Sequence, residues 1–127
     1  MTKEKLIEEC LKMPDSYVDY PYDPTTAVVR NKEKKTFALV DYCNPEKMKR
    51  SCGEDAPIKD GDIFINLKFP PIIIHAVRDQ YKAVLPGYYS DKNHWNTIIL
   101  GKDVPLDEIK KMIQLSYDLV APKVKKK

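Results

Sequence analysis

The chain has 127 residues, of which 43% are hydrophobic and 32% are charged. That is enough apolar material to enclose one core, and it excludes a disordered chain. No apolar run approaches the roughly 20 residues that a membrane-spanning helix needs.

The net charge of +3 comes from the end of the chain, where four lysines lie in residues 123–127. Removing those four from the 22 basic residues leaves 18 basic against 19 acidic residues. Domains that bind nucleic acids are usually basic, with the charge clustered on one surface. The excess positive charge therefore describes a basic tail, which is typical of a solubilising segment, more than the body of the chain.

Three cysteines at irregular spacing, Cys10, Cys43 and Cys52, make a poor disulfide framework and match no common zinc pattern. Residues 1–5 mix charges and lack the apolar core of a signal peptide. We therefore expect a cytoplasmic protein that does not associate with membranes. We expect neither a metal site nor a cofactor.

The first third of the chain predicts one helix and one hairpin. Apolar residues recur at helical spacing from about Thr2 to Met13, and Pro14 ends that helix. Residues 14–26 hold three prolines and three tyrosines, a composition typical of an ordered connector pinned by aromatic side chains. Ala27 to Arg30 and Thr36 to Tyr42 favour strands, and the polar turn between them predicts an antiparallel hairpin.

The middle of the chain combines an irregular segment with a clear strand. Residues 44–61 are polar and lack periodicity, and we expect either a short helix over residues 45–50 or a long loop. Residues 62–68 alternate between apolar and polar side chains, which predicts a half-buried strand. The proline pair at residues 70–71 then begins a helix that runs to about residue 80.

The last third predicts a turn, a strand and a final helix. Residues 82–89 contain a Pro-Gly pair and should turn the chain back, with a possible short strand near Tyr88. Trp95 to Leu100 predicts a strand. Apolar residues then recur at helical spacing from about Pro105 to Val120.

These elements follow the order α-β-β-β-α-β-α. Strands joined by tight turns favour an antiparallel sheet with helices packed on one face, which is an α+β fold. Since no repeat or change of composition divides the chain, residues 1–122 are predicted to form one domain. Within it, residues 42–61 are an inserted loop or short helix, and residues 123–127 follow as the basic tail.

Several motifs in the second half of the chain resemble the MmcQ/YjbR family. The most specific is the block of residues 92–97, because members of that family carry a lysine, any residue, and then His-Trp-Asn-Thr. The resemblance is strong over residues 62–127, moderate over residues 1–41 and poor over residues 42–61. The other motifs are Ile65-Asn66-Leu67-Lys68, Gln80-Tyr81, Pro86-Gly87-Tyr88 and Ser116-Tyr117-Asp118-Leu119-Val120.

The resemblance implies a fold like that of CyaY, the bacterial frataxin homologue, in which helices flank an antiparallel sheet. It also implies a DNA-binding protein with two wing-like hairpins, and members of the family are not generally described as enzymes. Residues 42–61 depart from the family pattern, because members usually join the second and third strands by a short turn.

A first hypothesis is that the protein binds DNA, mainly through backbone phosphates. The basic hairpin turn would act as a wing, and the 92–97 block would contact phosphate, sugar or base edges. The alternative interpretation is structural, since lysines at an edge turn discourage pairing between sheets and Trp95 would anchor the core. The candidate nucleic-acid-binding residues are Arg30, Lys32, Lys34, Lys35, Lys92, His94 and Asn96.

A second hypothesis is a non-enzymatic module that binds a protein or a small ligand in an aromatic cleft. An enzyme is not expected, because the histidines have no nucleophile partner in the sequence and no Gly-rich phosphate loop is present. The residues predicted to rim the cleft are Tyr81, Tyr88, Tyr89 and Trp95.

Overall fold

The structure, a computed structural model, describes residues 1–88 and 90–121. Within those residues the chain forms four helices and six strands. Their bounds are α1 Lys3–Cys10, β1 Tyr17–Asp19, β2 Ala27–Arg30, β3 Thr36–Tyr42, α2 Pro45–Cys52, β4 Ile63–Lys68, α3 Pro71–Gln80, β5 Val84–Pro86, β6 Trp95–Ile99 and α4 Leu106–Val120.

The six strands form one sheet in the order β1-β2-β3-β4-β6-β5, and every neighbouring pair is antiparallel. Strands β3 and β4 lie at its centre, where Ala38 is opposite Leu67 and Val40 is opposite Ile65. The predicted α+β fold, an antiparallel sheet flanked by helices, is confirmed.

Of the two edge strands, β1 was not predicted from the sequence, whereas β5 lies close to the short strand expected near Tyr88. Strand β1 lies inside the predicted connector and pairs with β2, so that Tyr17 is opposite Arg30. Strand β5 ends at Pro86, just before Tyr88, and pairs with β6. Each is three residues long, which is too short for an alternating pattern to stand out in the sequence.

Residues 42–61 contain helix α2 rather than being a loop throughout. The Asn44 side-chain oxygen accepts a hydrogen bond from Lys47 N at 3.1 Å, and Pro45 occupies the first turn; both are favourable at the start of a helix. Met48 is fully buried. A polar cap and one buried side chain are therefore enough to order a helix in this otherwise polar segment.

Helix α1 ends at Cys10, three residues before the predicted end. Lys12 N and Met13 N donate to Glu9 O and Cys10 O at 3.3 and 3.2 Å, which is the i→i+3 pattern of a tightened turn. The Ser16 hydroxyl donates to Met13 O at 2.7 Å. The chain thus leaves the helix with a terminal carbonyl satisfied.

The sheet has two unlike faces. Alternate residues of the central strands, such as Val40 and Ile65, are fully buried on the face against which α1 and α4 pack. A register shift between Val29 and Arg30 interrupts this alternation, and the Phe37 ring meets the Tyr117 ring of α4 edge-on at 5.1 Å. The opposite face is left for the site described below. None of the helices within residues 1–88 and 90–121 combines the length and apolar character needed to cross a membrane.

Candidate ligand-binding cleft

The face of the sheet opposite α1 and α4 carries an open cleft of about 670 Å³. Its floor comes from β3 and β4, and its walls come from the chain before β2, the start of α2, Tyr88 and residues 90–95. A smaller cavity of about 360 Å³ lies elsewhere, between Met1, residues 61–63 and the start of α4. The larger cleft is lined by Tyr22, Asp23, Thr26, Thr36, Leu39, Asp41, Tyr42, Asn44, Lys47, Phe64, Asn66, Tyr88, Ser90, Asp91 and Trp95.

A buried polar pair supports the floor of the cleft, and Asn66 of that pair is one of the lining residues. Asn66 and Thr97 are opposite each other in β4 and β6, and the Thr97 hydroxyl donates to Asn66 Oδ1 at 2.5 Å. Asn66 Nδ2 donates to Tyr88 O at 2.9 Å, and Tyr88 N donates to Thr97 Oγ1 at 2.8 Å. Because buried polar groups are costly without partners, this network fixes the chain at Tyr88 as a wall of the cleft.

Aromatic rings form much of the remaining surface. The Phe64 and Tyr88 rings meet edge-on with their centroids 5.8 Å apart, which is a favourable arrangement for two rings. Trp95 is half-buried. At the mouth, Tyr22 is 73% exposed and Tyr42 is 48% exposed, so ring faces remain available to a ligand.

Gly87 lets the chain before Tyr88 lie directly against Trp95. Gly87 N donates to Trp95 O at 3.0 Å, and a Cβ added at Gly87 would be 2.9 Å from both Trp95 Cβ and Trp95 O. Real Cβ atoms do not approach so closely, so glycine is required there by the close contact. The Pro-Gly pair noted in the sequence therefore serves the packing of Trp95.

Three carboxylates line the cleft, and two of them are held in the ionised form by hydrogen bonds. Donation from Thr26 and Thr25 to the exposed carboxylate lowers the pKa of Asp23 from 3.8 to about 2. A hydrogen bond from the Asn93 N–H and, to a smaller extent, one from the His94 ring lower the pKa of Asp91. Hydrogen bonds to a charged carboxylate favour that form. The third carboxylate, Asp41, accepts from Thr26 Oγ1 at 2.8 Å.

The 92–97 block is divided between the two faces of the sheet. Trp95 and Thr97 are on the cleft side, whereas Asn96, between them, is fully buried on the helix side. Asn96 Oδ1 accepts from Arg78 Nε at 2.5 Å, and Asn96 Nδ2 donates to Ile74 O at 3.3 Å. The predicted nucleic-acid contact by Asn96 is therefore wrong, because its amide is fully buried and hydrogen-bonded inside the protein.

Lys92 and His94 remain at the surface but have partners of their own. Lys92 Nζ donates to Gly87 O at 2.7 Å and to Ser51 Oγ at 3.3 Å. His94 Nδ1 lies 2.7 Å from Asp91 Oδ2. Lys92 thus ties α2 to the segment that walls the cleft, and His94 orders the turn before β6.

Arg78 of α3 holds the 92–97 block in place and was missed by the sequence analysis. Besides Asn96, its guanidinium donates to the carbonyl of Lys92 and to that of Trp95, the latter at 3.2 Å. Burial lowers the pKa of Arg78. An arginine that follows the apolar run Ile72–Ile74 in the same helix was a signal, since such a residue often has buried acceptors to satisfy.

The predicted basic wing is a short turn braced against the body. Arg30 is engaged, with Nε 3.6 Å from Asp19 Oδ2 and Nη1 donating to Thr36 Oγ1 at 3.2 Å. Asn31 is fully buried, and its side chain donates to Val120 O at 2.9 Å. The three lysines Lys32, Lys34 and Lys35 are exposed. Three of the four predicted basic residues of the turn are therefore exposed, on a tip that is fixed to the end of α4, and their contact with nucleic acid stays a prediction.

The remaining predicted residues do not join the cleft. Tyr81 follows α3 and is half-buried, and it is not among the lining residues. Tyr89 and the tail 123–127 lie outside the described residues. Burial raises the pKa of Cys10 and of Cys43 to about 12, which disfavours the reactive thiolate. Among residues 1–88 and 90–121, His, Cys, Asp and Glu side chains form no group of three or more that could hold a metal ion.

Comparison with known proteins identifies the family. A sequence model described as YjbR matches residues 11–119. The chain belongs to the YjbR family. It is 33% identical over 123 residues to the uncharacterized protein YyaQ of Bacillus subtilis strain 168, and the match covers 94% of this chain and 98% of that protein.

Solved structures share the fold of this YjbR-family chain. A crystal structure of a Pseudomonas syringae protein matches with a TM-score of 0.79 and 26% identity, over 95% of this chain and all of that chain. Deinococcus radiodurans protein DR2400, with a domain described as DUF419, matches with a TM-score of 0.72 and 26% identity, over 94% of this chain and 78% of that chain. The predicted family is confirmed, whereas the likeness to CyaY stays a prediction.

Proposed function

We propose that this YjbR-family protein is a non-enzymatic module that binds a small molecule in the cleft on the open face of its sheet. The observation that carries the proposal is the cleft itself, about 670 Å³ in volume and lined by four aromatic rings at its walls and mouth. Small-molecule sites typically have volumes of about 300–1,000 Å³, with aromatic walls and a few placed polar groups. Tyr88 and Trp95, two of the four predicted rim residues, line it.

The chemistry of the lining supports binding rather than catalysis. Its most acidic groups, Asp23 and Asp91, have lowered pKa values, whereas a general acid or base works best with a pKa near the operating pH. Asn66 and Thr97 already satisfy each other and the backbone of Tyr88. The Thr26 hydroxyl lies 2.8 Å from the carboxylates of Asp23 and Asp41, but the lowered pKa of Asp23 makes that carboxylate a poor general base.

Trp95 allows a direct test, because it is the sole tryptophan of the chain and lines the cleft. Titration with 2-phenylethanol, a neutral aromatic probe, should change Trp95 fluorescence and shift the amide NMR signals of Asn66, Ser90 and Thr97. Tyr22→Ala should weaken the response because Tyr22 stands at the mouth. Tyr20→Ala, which removes an exposed tyrosine outside the lining, is the matched control. Shifts scattered over the surface, or equal effects of the two variants, would contradict the proposal.

DNA binding is the second candidate, and one observation favours it. The hairpin turn with Lys32, Lys34 and Lys35 lies at the same end of the sheet as Lys68 and the start of β6. Exposed lysines at one end of a sheet could contact successive phosphates without reading sequence. This arrangement uses the surface beside the cleft rather than the cleft.

Fluorescence anisotropy with a labelled DNA duplex tests the second candidate at low and moderate salt. Combining Lys32→Gln, Lys34→Asn and Lys35→Gln should abolish binding and flatten its salt dependence. Asparagine suits position 34 because Lys34 has a φ of 65°. The matched control removes three other exposed lysines, at positions 5, 59 and 110. Equal losses in the two variants, or dependence on residues 123–127 alone, would remove the folded DNA site.

A further inference from the structure

The lining of the cleft carries an excess of negative charge, although the chain as a whole is positive. Three carboxylates, Asp23, Asp41 and Asp91, face one ammonium group, that of Lys47. Nearby basic side chains lie outside the lining: Lys92 Nζ donates to Gly87 O at 2.7 Å, and His94 Nδ1 lies 2.7 Å from Asp91 Oδ2. The charge presented to a ligand is therefore negative.

Two of the carboxylates compete for the same proton donor. Thr26 Oγ1 lies 2.8 Å from Asp23 Oδ2 and 2.8 Å from Asp41 Oδ2. One hydroxyl has one proton and can donate to only one of the two oxygens at a time. Lys3 Nζ lies 3.7 Å from Asp41 Oδ1, which balances one charge of the pair. Within residues 1–88 and 90–121, no cation forms an ion pair with the other carboxylate of the pair, that of Asp23.

The rings beside these carboxylates are the kind that attract cations. The faces of tyrosine and tryptophan carry partial negative charge, and Tyr22, Tyr42 and Trp95 all line the cleft. The protein already places one ammonium group in such a setting. Lys3 Nζ lies 4.9 Å from the centre of the Tyr42 ring and forms the ion pair with Asp41 described above.

We propose that the ligand of the cleft is a small organic ammonium ion, a protonated or quaternary amine on an apolar body. The ammonium group would lie between the aromatic rings and the carboxylates at the mouth, and the apolar body would pack on Leu39 and Phe64 of the floor. Phosphate-bearing and carboxylate-bearing molecules would be repelled. This assignment rests on the proposed function, because it names the ligand class of the same cleft.

A matched series of probes separates the ligand class from the existence of the site. Phenethylammonium, 2-phenylethanol and phenylacetate share one ring and differ in charge. Each is titrated against the full chain, with Trp95 fluorescence and amide shifts of the cleft residues as readouts. Phenethylammonium should bind roughly three- to tenfold more tightly than the neutral alcohol, and phenylacetate should bind most weakly.

Three variants test the electrostatic origin of that preference. Asp23→Asn keeps acceptors for the turn but removes the charge, so affinity for phenethylammonium should fall roughly three- to fivefold. Asp60→Asn removes an exposed carboxylate outside the lining and should leave affinity unchanged. Lys47→Gln should strengthen binding of the cation roughly three- to fivefold, a gain that structural damage would not produce.

The outcomes distinguish the two proposals. Tighter binding of the cation, with a loss in Asp23→Asn and a gain in Lys47→Gln, supports both. Equal or tighter binding of the alcohol or of phenylacetate, with shifts confined to the cleft, overturns the ammonium assignment and leaves the binding cleft standing. No cleft shift with any of the three probes overturns both.

Discussion

Polar residues on the two faces of the sheet have different roles: on one face they stabilise the fold, and on the other they line a cleft. On the helix face, polar side chains are fully buried and hydrogen-bonded within the protein. Asn96, for example, accepts a hydrogen bond from Arg78 and donates one to Ile74 O. On the open face, aromatic rings and ionised carboxylates surround a cleft large enough for a ligand. A polar residue in the motif that carries the family resemblance is thus not by itself a binding residue, because its role depends on which face it occupies.

Side chains of α3 and α4 on the helix face hold the strands that form the cleft on the opposite face. Arg78 binds the carbonyls of Lys92 and Trp95, and Ser116 of α4 accepts from Lys68 N at 2.8 Å while donating to Phe37 O at 2.6 Å. These contacts fix the ends of β3, β4 and β6. Residues of the two motifs that carry the family resemblance, Lys92–Thr97 and Ser116-Tyr117, therefore stabilise the fold as well as forming part of the candidate site.

The largest effect is expected from Arg78→Ala. The substitution leaves Asn96 Oδ1 and two carbonyls without their charged donor, and it should lower the free energy of unfolding by about 2–4 kcal/mol. Urea unfolding followed by circular dichroism measures the loss. Arg50→Ala, which removes an exposed arginine paired with Glu46 alone, should cost about 0.5 kcal/mol or less. Similar losses in both variants would show that Arg78 is not the organising residue.

Gly87→Ala tests the close contact between the chain at Gly87 and Trp95, both of which lie at the cleft wall. The added Cβ would clash with Trp95 Cβ and Trp95 O, so the variant should lose about 1–3 kcal/mol of stability and shift Trp95 emission. Gly61→Ala is the control, because Gly61 has a φ of 86° but open space around its Cα. It should lose about 1 kcal/mol with Trp95 emission unchanged. An unaltered emission spectrum in Gly87→Ala would contradict the close packing.

A pair of hydroxyl deletions separates the two faces directly. Ser116→Ala and Thr97→Val each remove a fully buried hydroxyl with two hydrogen bonds, and each should cost about 1–2 kcal/mol. Only Thr97→Val should also move the amide signals of Tyr88 and Ser90, because Thr97 holds that wall of the cleft. If the Tyr88 and Ser90 signals moved in Ser116→Ala and not in Thr97→Val, the assignment of Thr97 to the cleft side of the sheet would be contradicted.

The smallest effect is a pH dependence of the turn at the mouth of the cleft. The pKa of Asp23 is about 2 in the folded protein, below its ordinary value of 3.8, because hydrogen bonds stabilise the ionised form. The turn's contribution to stability should therefore be fully present above pH 3.8 and be lost as the pH falls to about 2. The amide signals of Thr25 and Thr26 measure it by NMR. A midpoint near 3.8 would mean that the carboxylate does not accept these bonds.

Much of the fold follows from local patterns in the sequence. Alternation over residues 62–68 predicts β4, and apolar spacing with proline at the start predicts α3 and α4. The family follows from the motif Lys92–Thr97. Strand β1 does not follow, and β5 was expected only as a possible short strand near Tyr88, since three residues carry no clear period and both strands are ordered by their partners in the sheet.

The candidate site is less predictable because it depends on distant pairings. Trp95 and Tyr88 were expected at a cleft and line one, but the carboxylates opposite them come from residues 23, 41 and 91. Helix α2 supplies part of the wall from a segment with almost no periodicity. A pattern within one segment of the sequence cannot predict which loops lie next to each other over one face of the sheet.

The sequence by itself therefore determined most of the elements, the fold class and the family, because each depends on spacing over a few neighbouring residues. The tertiary structure decided what the 92–97 block does. Strand alternation divides Trp95 from Asn96, and Arg78, eighteen positions before Asn96 along the chain, removes Asn96 from the surface. Burial and hydrogen-bond partners across the fold are long-range properties, and they turn a motif that identifies the family into one wall of a cleft.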